Sequence, residues 1–94
     1  MGMIDDILDG KAQLLDVRGD DEFDSGHAAG AIHISINRVI SGKLGELDST
    51  KPIYAYCASG GRAGMAVKYL KRNGFQAENV GGLVDWTKAG GKMA

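Results

Sequence analysis

The single cysteine of the chain, Cys57, is followed by Ala58-Ser59-Gly60-Gly61 and then by Arg62. A thiol, a run of small residues and a guanidinium at this spacing describe a nucleophile with an anion-binding loop around it. The reactive form of a cysteine is the thiolate, so whatever favours the anion favours reaction. Ser59, Gly60 and Gly61 can curl so that several backbone N–H groups point inward. A helix beginning near Arg62 adds its own unpaired N–H groups and positive dipole end. The same donors would hold a transferred group that carries negative charge, whether the outer sulfur of a persulfide or a phosphoryl group. With one thiol there is no internal disulfide and no Cys-x-x-Cys metal or redox pair. No other grouping of His, Cys and carboxylate residues has metal-ligand spacing, so neither a metal nor another cofactor is expected.

The elements that must position this loop can be read on either side of it. Ile53-Tyr54-Ala55-Tyr56-Cys57, after Lys51-Pro52, has the aliphatic and aromatic content of a strand buried on both faces. Cys57 stands at its carboxyl end, where parallel sheets bind ligands. Residues 63–73 read as a helix with Ala63, Ala66, Val67 and Leu70 as its apolar stripe, and Lys68, Lys71 and Arg72 largely off it. Gly74 supplies a left-handed C-cap that places Phe75 against Leu70. Upstream, Ile4, Ile7 and Leu8 at helical spacing predict a short helix stopped at Gly10, and residues 12–17 a buried strand. Residues 20–25 predict helical turns closed by Gly26, and residues 31–34 a second strand. The spacing of Ile36, Val39, Ile40, Leu44 and Leu47 predicts two short or irregular helices. Downstream, residues 77–80 predict a last strand, which Gly81-Gly82 turn into a helical segment containing Val84, Trp86 and Lys88. Short strands alternating with short helices predict an α/β fold: a mostly parallel sheet of four to five strands with helices on both faces.

A length of 94 residues, with 44% hydrophobic and 24% charged, predicts one domain over residues 1–94. The formal net charge of -1 gives no broad attraction to nucleic acid or to an anionic membrane, so any anion must be bound locally. No stretch approaches the ~20 apolar residues of a membrane span. The acidic start at Asp5-Asp6 is unlike a secretory signal. A cytoplasmic monomer is the expectation, and a mature exported form would read the same.

The motifs in order resemble the rhodanese family. Leu14-Leu15-Asp16-Val17-Arg18, Glu22-Phe23 and the run from Gly26-His27-Ala28 through Ile32-His33-Ile34 are similar to its first signature. Cys57-Ala58-Ser59-Gly60-Gly61-Arg62-Ala63 is similar to its active loop, and Gly74-Phe75, Val80, Gly81-Gly82 and Trp86 to its closing pattern. The resemblance implies a five-stranded, mostly parallel sheet and a sulfurtransferase in which Cys57 carries a persulfide. It implies that the backbone of residues 58–62 cradles that sulfur, and that Arg62 draws in a small anionic donor such as thiosulfate. Cyanide, a thiol or a protein would then accept the sulfur.

Asp16 and Arg18 are expected as a scaffold pair supporting the loop, with Arg18 able to reach the rim of the site. His27 and His33 fall in the structural Gly-His signature, and a cysteine ionised by its loop needs no base. Glu22 is expected to start a helix and brace the turn after Arg18, and Trp86 to anchor the core. Lys68, Lys71 and Arg72 form a solvated face that could also meet an acidic acceptor protein. Two features depart from the family pattern. Ala63 stands where Ser or Thr often follows the loop arginine, so one hydroxyl donor to the sulfur is absent. Few residues precede Gln13, so the first strand of the sheet is missing or reduced. Related cell-cycle phosphatases have a longer loop, and related arsenate reductases a longer loop or extra cysteines. The four-residue gap between Cys57 and Arg62 therefore favours sulfur. A carrier module loaded by protein partners is the alternative to an enzyme that turns over small donors.

Overall fold

The aliphatic and aromatic run ending in the cysteine forms strand β3, Ile53–Cys57, at the centre of a computed structural model that describes residues 2–94. Before it come α1 (Met3–Leu8), β1 (Gln13–Asp16), α2 (Asp20–Asp24), β2 (Ile32–His33) and α3 (Ile36–Ile40). After it come α4 (Gly61–Arg72), β4 (Ala77–Gly82) and α5 (Leu83–Lys88). The four strands are all parallel, in the order β2-β1-β3-β4. Leu15 is in register with Ile32 on one side and Ala55 on the other.

Alternation along the strands sorts their side chains into two layers. Leu15, Val17, Ile53, Ala55 and Cys57 face α4, which packs Ala63, Ala66, Val67 and Leu70 against them, with Val39 of α3 alongside. Leu14 and Tyr56 face the opposite way, toward Trp86 of α5, and Met3, Ile4 and Ile7 of α1 pack onto that cluster. Helices thus cover both faces of a sheet that is buried on both sides.

The described residues hold four strands, within the four to five expected, and the segment ahead of β1 is the expected short helix; its Asp6 carbonyl accepts bonds from the Lys11 and Ala12 amides (2.8 and 3.1 Å). Three details differ from the sequence reading. Leu8 does not join the apolar stripe of α1 and stays 79% exposed, because Met3, Ile4 and Ile7 turn inward. Residues 36–49 make one short helix followed by turns. Gly42 (φ 79°) and Gly45 (φ 55°) adopt the left-handed conformation that helices exclude, while Leu44 and Leu47 still pack on the core. In addition, β4 continues through Gly82, with a register shift after Ala55↔Asn79 that sets Gly81 opposite Tyr56.

Candidate active site

Strand alternation aims Cys57 toward α4 and Tyr56 away from it, so the thiol lies over the first turn of α4. Gly60 makes the turn between strand and helix with φ 102°, a conformation that side chains rarely tolerate. The loop closes on the sulfur: the Gly60 amide donates to Cys57 Sγ at 3.0 Å and the Ala63 amide at 3.4 Å. Cys57 is fully buried, while Ala58, Ser59 and Gly61 form an exposed rim above it. Burial pushes the thiol pKa up, but the amides of Ala63, Ser59, Gly60 and Arg62 outweigh it and hold the thiol below its ordinary value.

Strand β4 supports the loop from behind. Asn79 Nδ2 donates to the Gly60 carbonyl (3.0 Å), and Asn79 Oδ1 accepts from the Gly81 amide (2.9 Å). Gly82 lies directly under the Ala58 carbonyl, and no side chain fits between them.

Behind β3 is a buried ionic group. Arg18 Nε and Nη2 grip the Asp16 carboxylate at 2.8 to 3.1 Å, and the Arg18 amide donates to Asp16 Oδ1 at 2.8 Å. The Tyr56 hydroxyl donates to Asp16 Oδ2 (2.6 Å) and accepts from the Ala28 amide (3.0 Å). Arg18 Nη2 also donates to the Gly26 carbonyl (2.7 Å). Burial, and then the bond to Asp16, push the Tyr56 hydroxyl well above its usual pKa. Asp16 and Arg18 therefore tie β1 to β3 and to the turn at Gly26, with no atom of either bonded to Cys57.

The rhodanese-like domain family model matches residues 3–89 of the chain. The chain belongs to that family. Among its relatives in Bacillus subtilis (strain 168), "Putative sulfurtransferase YtwF" is 38% identical over 79 residues, covering 83% of this chain and 76% of that protein. "Uncharacterized protein YqhL" is 40% identical over 85 residues (88% of this chain, 64% of that one). "Putative sulfur carrier protein YrkF" is 36% identical over 81 residues (84% and 43%). The chain thus spans less than two thirds of the length of the last two. The rhodanese-like domain protein from Staphylococcus aureus superposes with a TM-score of 0.77 at 33% identity, covering 96% of this chain and 89% of that one. The Alr3790 protein from Anabaena sp. superposes with a TM-score of 0.82 at 27% identity, covering 97% and 75%.

Within this rhodanese-like domain, Cys57, Ala58, Ser59, Gly60, Gly61 and Ala63 come together as loop and cradle. Arg62 does not fold wholly onto the sulfur. Its Nη1 and Nη2 donate to Glu22 Oε1 (2.7 Å) and Oε2 (2.9 Å), and Cys57 acts on it more weakly than Glu22 does. The same carboxylate accepts from the Gly19 amide at 3.0 Å. Chiefly through Arg62, its pKa is lowered to about 2. Glu22 was thus read correctly as a brace at the start of α2 and missed as the partner of Arg62. The topology contained the signal: β1 and β3 are parallel neighbours, so the segments leaving their carboxyl ends, α2 and the cysteine loop, lie side by side. His27 and His33 stack on the two faces of Phe23 (ring centroids 3.7 and 4.4 Å), and bond to the Phe23 and Arg18 carbonyls, away from the thiol. Lys68, Lys71 and Arg72 are exposed. A cleft of about 420 Å³, which shares Glu22 with the Arg62 pair, is lined also by Arg18, Asp21, Ser25, Gly26, Leu83 and Met93.

Proposed function

We propose that this rhodanese-like domain, taken as one domain over residues 1–94, is a sulfurtransferase that carries sulfane sulfur as a persulfide on Cys57. The observation that carries the reading is the pair of backbone amides aimed at Cys57 Sγ from Gly60 and Ala63. In the first half-reaction the thiolate attacks the outer sulfur of a small donor, of which thiosulfate is the simplest. The bond between the two donor sulfurs breaks, its electron pair leaves with sulfite, and Cys57 keeps the added sulfur. In the second, cyanide or an acceptor thiol attacks that outer sulfur and returns the thiolate. Ping-pong kinetics follow from two half-reactions that share one cysteine.

The cradle does two jobs in this scheme. Its amides lower the energy of the thiolate before attack and of the persulfide anion after it. Ala63 offers no hydroxyl, so its contribution is its backbone N–H alone. The backbone of residues 58–61 would meet the donor, with Arg62 joining it only where its bonds to Glu22 open, while Asp16 and Arg18 keep the strand ends in place. The relative named as a sulfur carrier, together with the full burial of Cys57, favours a second reading, in which protein partners load and unload the persulfide. The acceptor pool and a cytoplasmic setting belong to the same proposal. Phosphoryl transfer ranks below both, since four residues between Cys57 and Arg62 make a tighter ring than the longer phosphatase loops.

The test is thiosulfate-to-cyanide transfer by the native chain and by Cys57→Ser, with intact mass measured after donor treatment. The native chain should gain one sulfur atom and turn over, and Cys57→Ser should do neither; equal rates in the two would end the proposal. A native chain that gains the sulfur but passes it only to a protein thiol would select the carrier reading.

A further inference from the structure

Arg62 is the one cation of the cysteine loop, and both of its Nη groups are held by one carboxylate. The pair is about one-third exposed on each side, so solvent and ligands can compete for it. Glu22 stays ionised down to about pH 2, so a proton does not release Arg62 at any working pH. Glu22 is anchored in turn by the Gly19 amide, which fixes the carboxylate at the start of α2.

Two classes of sulfur donor differ at the end that would meet Arg62. Thiosulfate is a dianion whose leaving end is a sulfonate, and a guanidinium fork binds such oxygens well. An alkyl persulfide has an alkylthio leaving end, which offers the fork nothing. With Glu22 in place, both Nη groups are engaged, and a like charge stands beside the guanidinium that a sulfonate would approach. The cleft that Glu22 lines also has Leu83 and Met93 on its walls, apolar surface that an organic tail can cover.

We infer that Glu22 is a specificity-determining residue, which withholds Arg62 from sulfonate-ended donors and leaves the site to alkyl persulfides whose organic end enters the Leu83–Met93 cleft. This rests on the persulfide reading of Cys57. The step balances without a further reactant. The Cys57 thiolate attacks the outer sulfur of R–S–S–H, the donor S–S bond breaks, and its electron pair leaves as R–S⁻. The proton stays on the transferred sulfur, and one negative charge stands on each side.

The experiment follows persulfide formation on Cys57 by intact mass, at rising concentrations of thiosulfate or of 2-hydroxyethyl persulfide. It compares the native chain with Glu22→Gln, which removes the charge but keeps an oxygen for the Gly19 amide. For Glu22→Gln the half-saturating concentration of thiosulfate should fall about fivefold relative to that of the alkyl persulfide, with its limiting rate within about twofold. The native chain, which needs no variant to fold, should half-saturate at an about tenfold lower concentration of the alkyl persulfide than of thiosulfate. Equal shifts for both donors, no shift for thiosulfate, or a native preference for thiosulfate would overturn the role of Glu22 while leaving the Cys57 persulfide standing. A Cys57 that gains sulfur from neither donor in either chain overturns both.

Discussion

Tyr56 and Cys57 are neighbours in sequence, and strand alternation sends them to opposite sides of β3. Cys57 meets amides that lower its pKa, and Tyr56 meets the buried carboxylate of Asp16. The lowered thiol pKa makes a prediction with a definite sign. The rate of Cys57 alkylation should rise with pH through a midpoint below that of the unfolded thiol; a midpoint at or above the unfolded value would refute the cradle electrostatics. The linked stability term is present above the unfolded thiol pKa and is lost as pH falls through the folded one. Tyr56→Phe keeps the ring but leaves the Ala28 amide and one Asp16 oxygen without the hydroxyl, at a cost of about 1–3 kcal/mol in urea unfolding. Asp16→Ala strands a buried guanidinium and should cost more, about 3–5 kcal/mol. If Tyr56→Phe cost as much as Asp16→Ala, the hydroxyl rather than the ion pair would hold the group together. Cys57, its glycines and the Asp16–Arg18 pair were legible in the sequence because their types and spacing are local. The Glu22–Arg62 and Asp16–Tyr56 bonds were not, since each joins residues 40 positions apart.

At the scale of elements, the site depends on how closely β4 approaches the cysteine loop. Gly82 pairs with Cys57 across the sheet, and a methyl added there would run into the Ala58 carbonyl and the Ser59 backbone, with no flexible side chain to give way. Gly82→Ala should therefore push the loop off its strand, costing about 1–3 kcal/mol and slowing persulfide formation. Gly61→Ala is the contrast for stability: its added methyl meets nothing within 4 Å, so its free energy of unfolding in urea should stay within about 0.5 kcal/mol of native. Equal destabilisation of the two would show that the clash at Gly82 relaxes freely. The sequence named Gly81-Gly82 as a turn because paired glycines usually punctuate. In the structure Gly81 and Gly82 are instead the end of β4: Gly81, at φ 110°, faces the Asp85 side chain, and Gly82 is kept bare so that the loop can lie on it. Strand β3 was legible to the residue since its apolar run has clear ends. Residues 36–49 were not, because three- and four-residue spacings persist through turns whose apolar side chains still reach the core.

For the molecule as a whole, the two faces of the sheet are unequal. Among the described residues, twelve buried members of the apolar core pack on the α4 side and four on the other: Leu14, Ala28, Tyr56 and Trp86. The smaller face is completed by the end of the chain. Trp86 Nε1 donates to the Lys92 carbonyl (2.9 Å), which also accepts from the Ala29 amide (2.8 Å), and the Ala94 amide donates to the His27 carbonyl (2.9 Å). Trp86→Ala removes the largest side chain of this face and should cost about 3–5 kcal/mol, a large share of the ~5–10 kcal/mol expected for a domain of this size. Trp86→Phe keeps much of the ring but gives up the bond to Lys92, so it should cost less. The cradle lies on the larger face, where Cys57 and Ala63 pack with α4. A folded Trp86→Phe chain should therefore unfold at lower urea and yet alkylate Cys57 at the native rate. If the rate fell with the urea midpoint, the faces would be coupled through β3. Tyr56, bonded to Asp16 on one side of Cys57 in sequence, would then be the residue that transmits the loss.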